Sequence, residues 1–146
     1  MHVFETKTLW ERDKVFQVTS SGLPALTAST PVEFGGPDGH WTPEHLLVAA
    51  VESCLLSTFL YFAERFKLSL CSYSSAAQGT VEKTPEGLRF TGIDVSIECT
   101  VADRAAAAKI ESLHLKDKLE KYCLISASLA CPVHVELEAG PADALA

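Results

Sequence analysis

Between Thr42 and Phe66 the chain spells a helix with almost no polar side. Thr42-Pro43-Glu44 supplies a hydroxyl cap, a proline at the first helical position, where its missing N–H is not needed, and a carboxylate facing the positive helix end. Downstream, Leu46, Leu47, Val48, Val51, Leu55, Leu56, Phe59, Leu60 and Phe62 surround the axis on most sides. Such a helix has to be buried by a sheet of its own chain and by something else as well, for which a second subunit is the natural occupant.

The flanking segments read as strands. Val3 to Leu9 and Val15 to Thr19 are followed by a Ser20-Ser21-Gly22 turn and a short extended piece ending near Phe34. In Gly35-Gly36-Pro37-Asp38-Gly39-His40 the glycines and proline leave neither ladder nor helix, and the Gly-Lys-Ser/Thr ending of a phosphate loop is absent. From Ser72 to Val101 the period becomes two, with Thr84-Pro85-Glu86-Gly87 as the turn of a hairpin and Ile93, Val95, Ile97, Cys99 and Val101 alternating in its second strand. Asp103 caps an alanine-rich helix expected from Ala105 to about Lys121, and Val133 to Leu137 closes as a strand. The order predicts an α+β fold with two main helices on a mostly antiparallel sheet.

A length of 146 residues fits a single domain, 1–146. The net charge of −7, with lysines and arginines scattered rather than clustered, argues against nucleic acid as a partner. Glu52 and Glu64 interrupt the longest apolar stretch, and the N-terminus has no charged-then-apolar signal pattern, so no membrane association is expected and the cytoplasm is the expected compartment. Five cysteines, an odd number in a chain of ordinary core-building composition, point to a reducing compartment with one or two working thiols rather than to a disulfide framework.

Two of those cysteines stand out. Cys54 lies midway along the apolar helix, and Cys123, in Lys121-Tyr122-Cys123-Leu124-Ile125-Ser126, ends the later one. A thiol on a rigid helix with a second thiol able to reach it is the minimum equipment for reducing a peroxide through a disulfide. The attacking thiol must be ionised, against an ordinary pKa of about 8.5 that burial only raises. The residues three and four positions from Cys54 are Ala50, Val51, Ser57 and Thr58, none of them electropositive, so a structural core cysteine stays open as a reading. Cys99 reads as core and Cys71 and Cys131 as structural, with Cys131 near enough to Cys123 in sequence to be a reserve resolving thiol. His40, His45, His114 and His134 show no ligand spacing, so no metal site is expected. Trp41 and Tyr61 suit an interface, a core or the wall of an apolar pocket.

The segment from Thr42 through Cys54, the segment Glu120 to Leu129 and the Glu33-Phe34-Gly35-Gly36-Pro37 entry into the first helix together resemble the OsmC/Ohr family, the osmotically inducible and organic hydroperoxide resistance proteins. The resemblance covers nearly the whole chain. It implies an OsmC-like fold, an intertwined homodimer with two interface sites, and reduction of organic hydroperoxides without a bound cofactor. Cys54 would attack the peroxide and become a sulfenic acid, Cys123 would condense with it, and an external dithiol such as dihydrolipoamide would restore both. The resemblance also implies roles for Glu44, in the Pro-Glu pair, and for an arginine of the N-terminal strands, where Arg12 is the one available. Glu44 and Cys54 are ten residues apart, ~15 Å along a straight helix, so a carboxylate serving a thiolate would serve the other subunit's, and a monomer would be inactive. The chain departs from the family pattern at Glu52 and Ser53, where small apolar residues are common, and at Leu124, where proline is common, which makes it a divergent member. Glu52, as a nearby carboxylate, would oppose thiolate formation. The alternative function is a non-catalytic small-molecule-binding or redox-responsive dimer of the same fold.

Overall fold

A computed structural model describes residues 1–142, and it is a mixed α+β structure of two three-stranded sheets and four helices. The chain divides into two compact units, 1–47 and 48–146.

In the first unit β1 (Lys7–Arg12), β2 (Val15–Thr19) and β3 (Leu26–Ser29) form an antiparallel meander in that order. The first strand therefore starts later than the expected Val3. The extended piece expected near Phe34 ends at Ser29, and Val32–Phe34 instead forms a single 3₁₀ turn closed by Gly35. A bridge from Ala28 to Trp41, with the Ser29 N–H donating to the Trp41 carbonyl at 2.9 Å, ties the loop back to β3.

Helix α1 spans Pro43–Arg65, within a residue of the expected limits. The Thr42 hydroxyl accepts the His45 N–H at 3.1 Å and lies 2.7 Å from its Nδ1, so the cap and the first turn lock each other. By length and composition α1 is long and apolar enough to cross a bilayer, contrary to the expectation drawn from Glu52 and Glu64. One stripe of it belongs to the core, with Val51, Leu55 and Phe59 fully buried, while Leu60 and Tyr61 on another side are exposed.

The second unit is built on a long hairpin, β4 (Leu70–Thr84) and β5 (Gly87–Val101), which turns where expected. Pro85 has the φ that the first turn position needs, and Gly87, at φ +106°, takes the conformation that a residue with a Cβ avoids. Ile93, Val95, Ile97, Cys99 and Val101 are all buried, in the expected alternation. Cys71 falls at an irregularity in the pairing, between the Leu70–Val101 and Ser72–Thr100 pairs, and is exposed.

Strand β6 (Val133–Pro141) pairs parallel to β5, from Ile93–Val133 to Val101–Pro141, and two of the three pairings that involve β1 to β5 in sequence neighbours are the short ones of the first sheet. A parallel neighbour needs a crossover, and three helices make it: α2 (Arg104–Ser112), α3 (Leu115–Tyr122) and α4 (Leu124–Ala127). Asp103 caps α2 as expected, accepting the Ala106 N–H at 2.9 Å. The single helix expected to about Lys121 is divided, because His114 adopts a left-handed conformation at φ 52°. That break turns Ile110 on α2 and Leu115 and Leu119 on α3 into the same core.

Helix α1 lies along β4 because β4 presents small side chains to it. Ser75, Ala77 and Gly79 occupy alternate positions, and a Cβ on Gly79 would come within 2.7 Å of both a Val48 methyl and the Phe90 ring. Glu52 meets Ser75, and Phe59 packs edge-on to Tyr73 with centroids 5.3 Å apart. Tyr73 in turn pairs across the hairpin with Cys99.

Gly79→Ala is expected to destabilise the fold by roughly 1–3 kcal/mol through overpacking against Val48 and Phe90. Gly140→Ala, in β6 with open space around it, is expected to stay within about 0.5 kcal/mol. Urea unfolding midpoints of the two variants check the difference. Burial, foremost, pushes the Cys99 thiol from 9.0 up to about 11, while burial and then the negative charges of Cys99 and Glu52 push the Tyr73 phenol from 10.0 up to about 12. Both folded-state values are raised, so their contribution is complete below the unfolded values and is lost as pH rises through the folded ones. Stability is expected to fall between about pH 9 and pH 12, and Cys99→Val is expected to flatten the lower part of that fall, by at most ~3 kcal/mol, in unfolding curves taken across the range.

Candidate active site

Cys54 and Cys123 come from different elements and meet in the second unit. Cys54 sits on α1 beside the stripe of Val51, Leu55, Phe59 and Phe62 and is half-buried against the core. Cys123 is fully buried at the junction that ends α3 and begins α4, its backbone extended at φ −67° and ψ 108°. Cys54 is near enough to act on the ionisation of Cys123. All five cysteines are free thiols.

The surroundings treat the two sulfurs differently. Burial, the largest influence, raises the Cys123 thiol above its ordinary value. The Ser126 hydroxyl, donating to Cys123 Sγ at 3.1 Å, works in the opposite direction, and the Cys54 side chain raises it further. Cys123 is thus held as a buried thiol with the Ser126 hydroxyl donating to its sulfur. Leu124, which replaces the family's common proline, is the first residue of α4, a position where proline and ordinary helix formers are both accepted.

Glu52 does not face Cys54. Two residues of helix turn it to the other side, where its Oε2 accepts the Ser75 hydroxyl at 2.5 Å. Its charge acts on Tyr73, whose hydroxyl is buried with no hydrogen-bond partner among the described residues.

The other two expected site residues, Arg12 and Glu44, belong to the first unit and are not brought together there. Arg12 is exposed and pairs with its neighbour Glu11 at 2.7 Å, while Glu44 Oε2 is buried without a hydrogen-bond partner among the described residues. Cys99 is core, as its alternation suggested, and Cys131 is half-buried against the core. Among the described residues no three His, Cys, Asp or Glu side chains gather as a metal site. Trp41 and Tyr61 are both exposed, Trp41 edge-on to His45 and Tyr61 edge-on to Phe62.

Sequence reading gave no role to Ser126, Ser75 or Thr58. Ser126 stands three residues after Cys123, inside the motif, and an i to i+3 search for hydroxyls would have found it. Ser75 meets Glu52 across 23 residues of chain, so no local pattern signals it. Thr58 donates to the Cys54 carbonyl at 2.8 Å, a backbone contact that any helical threonine could make.

Comparison with known proteins follows the same outline. The OsmC-like protein family matches residues 36–138. An OsmC-like protein of unknown function from Vibrio cholerae superposes with a TM-score of 0.84 at 19% identity, covering 94% of this chain and 100% of that one. An organic hydroperoxide resistance protein OsmC from Legionella pneumophila superposes with a TM-score of 0.67 at 25% identity, covering 96% of this chain and 99% of that one. The uncharacterized protein YmaD of Bacillus subtilis is 26% identical over 141 residues, 94% of this chain and 93% of its own length. With the family matched over most of its length, and with the α+β architecture that goes with it, the chain belongs to the OsmC-like protein family.

Proposed function

We propose that the protein is a thiol peroxidase that reduces organic hydroperoxides with Cys54 and Cys123. The observation that carries this reading is the meeting of a half-buried thiol on α1 with a fully buried one at the α3–α4 junction. The Cys54 thiolate attacks the outer peroxide oxygen, the O–O bond breaks, and the alkoxide leaves as an alcohol after taking a proton. Cys54 is then a sulfenic acid. The Cys123 sulfur attacks it, a disulfide forms and water leaves, and an external dithiol returns both residues to thiols while becoming a disulfide itself. The proposal needs no metal and no bound organic cofactor.

In this reading the active form is a homodimer in the cytoplasm, acting as one OsmC-like domain per chain. Arg12 and Glu44 serve the thiolate of the other subunit, which agrees with a Glu44 oxygen left without a hydrogen-bond partner in the single chain. The Glu52 carboxylate, held by Ser75 on the far side of α1, leaves the Cys54 face clear.

The test is dithiol-dependent turnover of cumene hydroperoxide. Cys54→Ser is expected to bring turnover down to background, and Cys123→Ser to stop after one equivalent with a trappable sulfenic acid on Cys54. Absence of turnover in the native protein, with Cys54 still reduced after peroxide, would move the assignment to a ligand-binding dimer. Ser126→Ala removes the donor that favours the Cys123 thiolate, so the Cys123 pKa is expected to rise and disulfide formation at neutral pH to slow several-fold, ~3- to 10-fold for one hydrogen bond. Stopped-flow decay of the sulfenic acid reads this directly.

A further inference from the structure

Strand β6 is the last of its sheet and is paired with β5 on one side only. Two hydrogen bonds settle which way its backbone groups turn. The Pro132 carbonyl accepts the Ile93 N–H at 3.1 Å, and the Val135 N–H donates to Glu120 Oε1 on α3 at 3.3 Å. Backbone groups alternate sides along a strand, so His134, Glu136 and Glu138 follow Pro132 toward β5, and Leu137 and Ala139 follow Val135 toward the free edge. Helix α3 covers that edge at Val135 and satisfies its donor through Glu120. At Leu137 and Ala139 no such partner for the N–H exists among the described residues. A bare strand edge is ordinarily blunted by lysine, by proline or by a covering element, and here the cover stops short.

A cavity of about 630 Å³ opens at this place, with Leu137 to Ala139 as one wall and the left-handed break at His114, between α2 and α3, as the other. Ile110 and Leu115, both buried, give it an apolar floor, and Glu111 and Asp117 bring carboxylates to it. Lys116, which also lines it, is held by Glu120 at 3.0 Å. Glu111 forms no ion pair among the described residues, and Asp117 has only the His114 ring, 4.0 Å away. The free edge therefore repeats an N–H and a C=O every second residue, roughly 6.6 Å apart, which is the repeat of an extended chain, and the cavity beside it is apolar below and negative above.

We propose that this edge docks an extended segment of another protein. Its main chain exchanges hydrogen bonds with Leu137 and Ala139, adding a strand to the sheet, and a basic side chain enters the cavity with its apolar stem over Ile110 and Leu115 and its charge at Glu111 and Asp117. The ladder supplies the direction of the bound segment and the carboxylates supply the choice of an arginine or lysine in it. Leu115 stands at the start of α3 and Cys123 at its end, eight residues and roughly 12 Å of helix away, so the inference does not depend on the peroxidase reading.

The test is a titration of the isotope-labelled native protein, followed by its amide spectrum, with an acetylated and amidated pentapeptide that has arginine in the middle and alanine elsewhere. Shifts are expected in α2, at the start of α3 and in β6. Replacing the arginine by citrulline, which keeps the shape and removes the charge, is expected to weaken binding about tenfold, as for one charge-assisted pair. Methylating the peptide's backbone nitrogens is expected to weaken it about fivefold, as for one lost ladder bond. Glu111→Gln combined with Asp117→Asn, with a spectrum that is otherwise native, is expected to bring the arginine and citrulline peptides to equal affinity. Absence of shifts, shifts centred on the outer sheet face at Glu98 and Glu138 instead, or failure of either chemical change to weaken binding would overturn the proposal.

Discussion

The contact on which the second unit depends is that of α1 with the small-residue face of β4. Ser75, Ala77 and Gly79 leave room for the side chains of α1, so that a single added methyl at Gly79 would collide with Val48 and with Phe90. The contacts of Val48 at Gly79, Glu52 with Ser75 and Phe59 with Tyr73 fix the rotation of the helix about its own axis. With Val48, Glu52 and Phe59 turned to β4, Cys54 and Arg65 are turned away from it together, toward α3. The direction of the thiol is thus decided by residues that take no part in its chemistry.

The same contact accounts for the tolerance of a carboxylate at position 52. A charge on a core helix is costly unless it is hydrogen-bonded. Ser75 provides the bond, and the sheet behind it carries Tyr73, whose unpartnered hydroxyl and raised pKa are the other side of the same burial. What looked in the sequence like an interference with the thiol is, in the fold, a polar peg between helix and hairpin.

Local chemistry was legible in the sequence and long-range arrangement was not. The Thr42 cap, the Asp103 cap, the Thr84–Gly87 turn and the period-two face of β5 are each written within a few residues, and each stands where expected. The break at His114 is not, since neither glycine nor proline marks it; the chain bends there because Ile110, Leu115 and Leu119 have to reach one core. The parallel docking of β6 also depends on the whole crossover rather than on its own residues. At the site, the two cysteines were visible as motifs and their meeting in space is a fact of packing. Arg12 and Glu44 show the limit of the same approach: their residue types fit the family, yet the single chain engages Arg12 with Glu11 and leaves a Glu44 oxygen unpaired.

The asymmetry between the two thiols has its own logic in the proposed cycle. A resolving thiol that was ionised and exposed would meet peroxide from solution and be oxidised out of turn. Burial at the α3–α4 junction keeps Cys123 protonated and away from solvent, which makes it a poor target for a dilute oxidant. The same burial is no handicap against a sulfenic acid on Cys54, because that partner is already adjacent and its effective concentration is far above that of anything diffusing in. Ser126 then sets the balance: its hydroxyl offers the developing thiolate one hydrogen bond, enough to ease the proton's departure when the electrophile is in place, and too little to ionise the thiol beforehand.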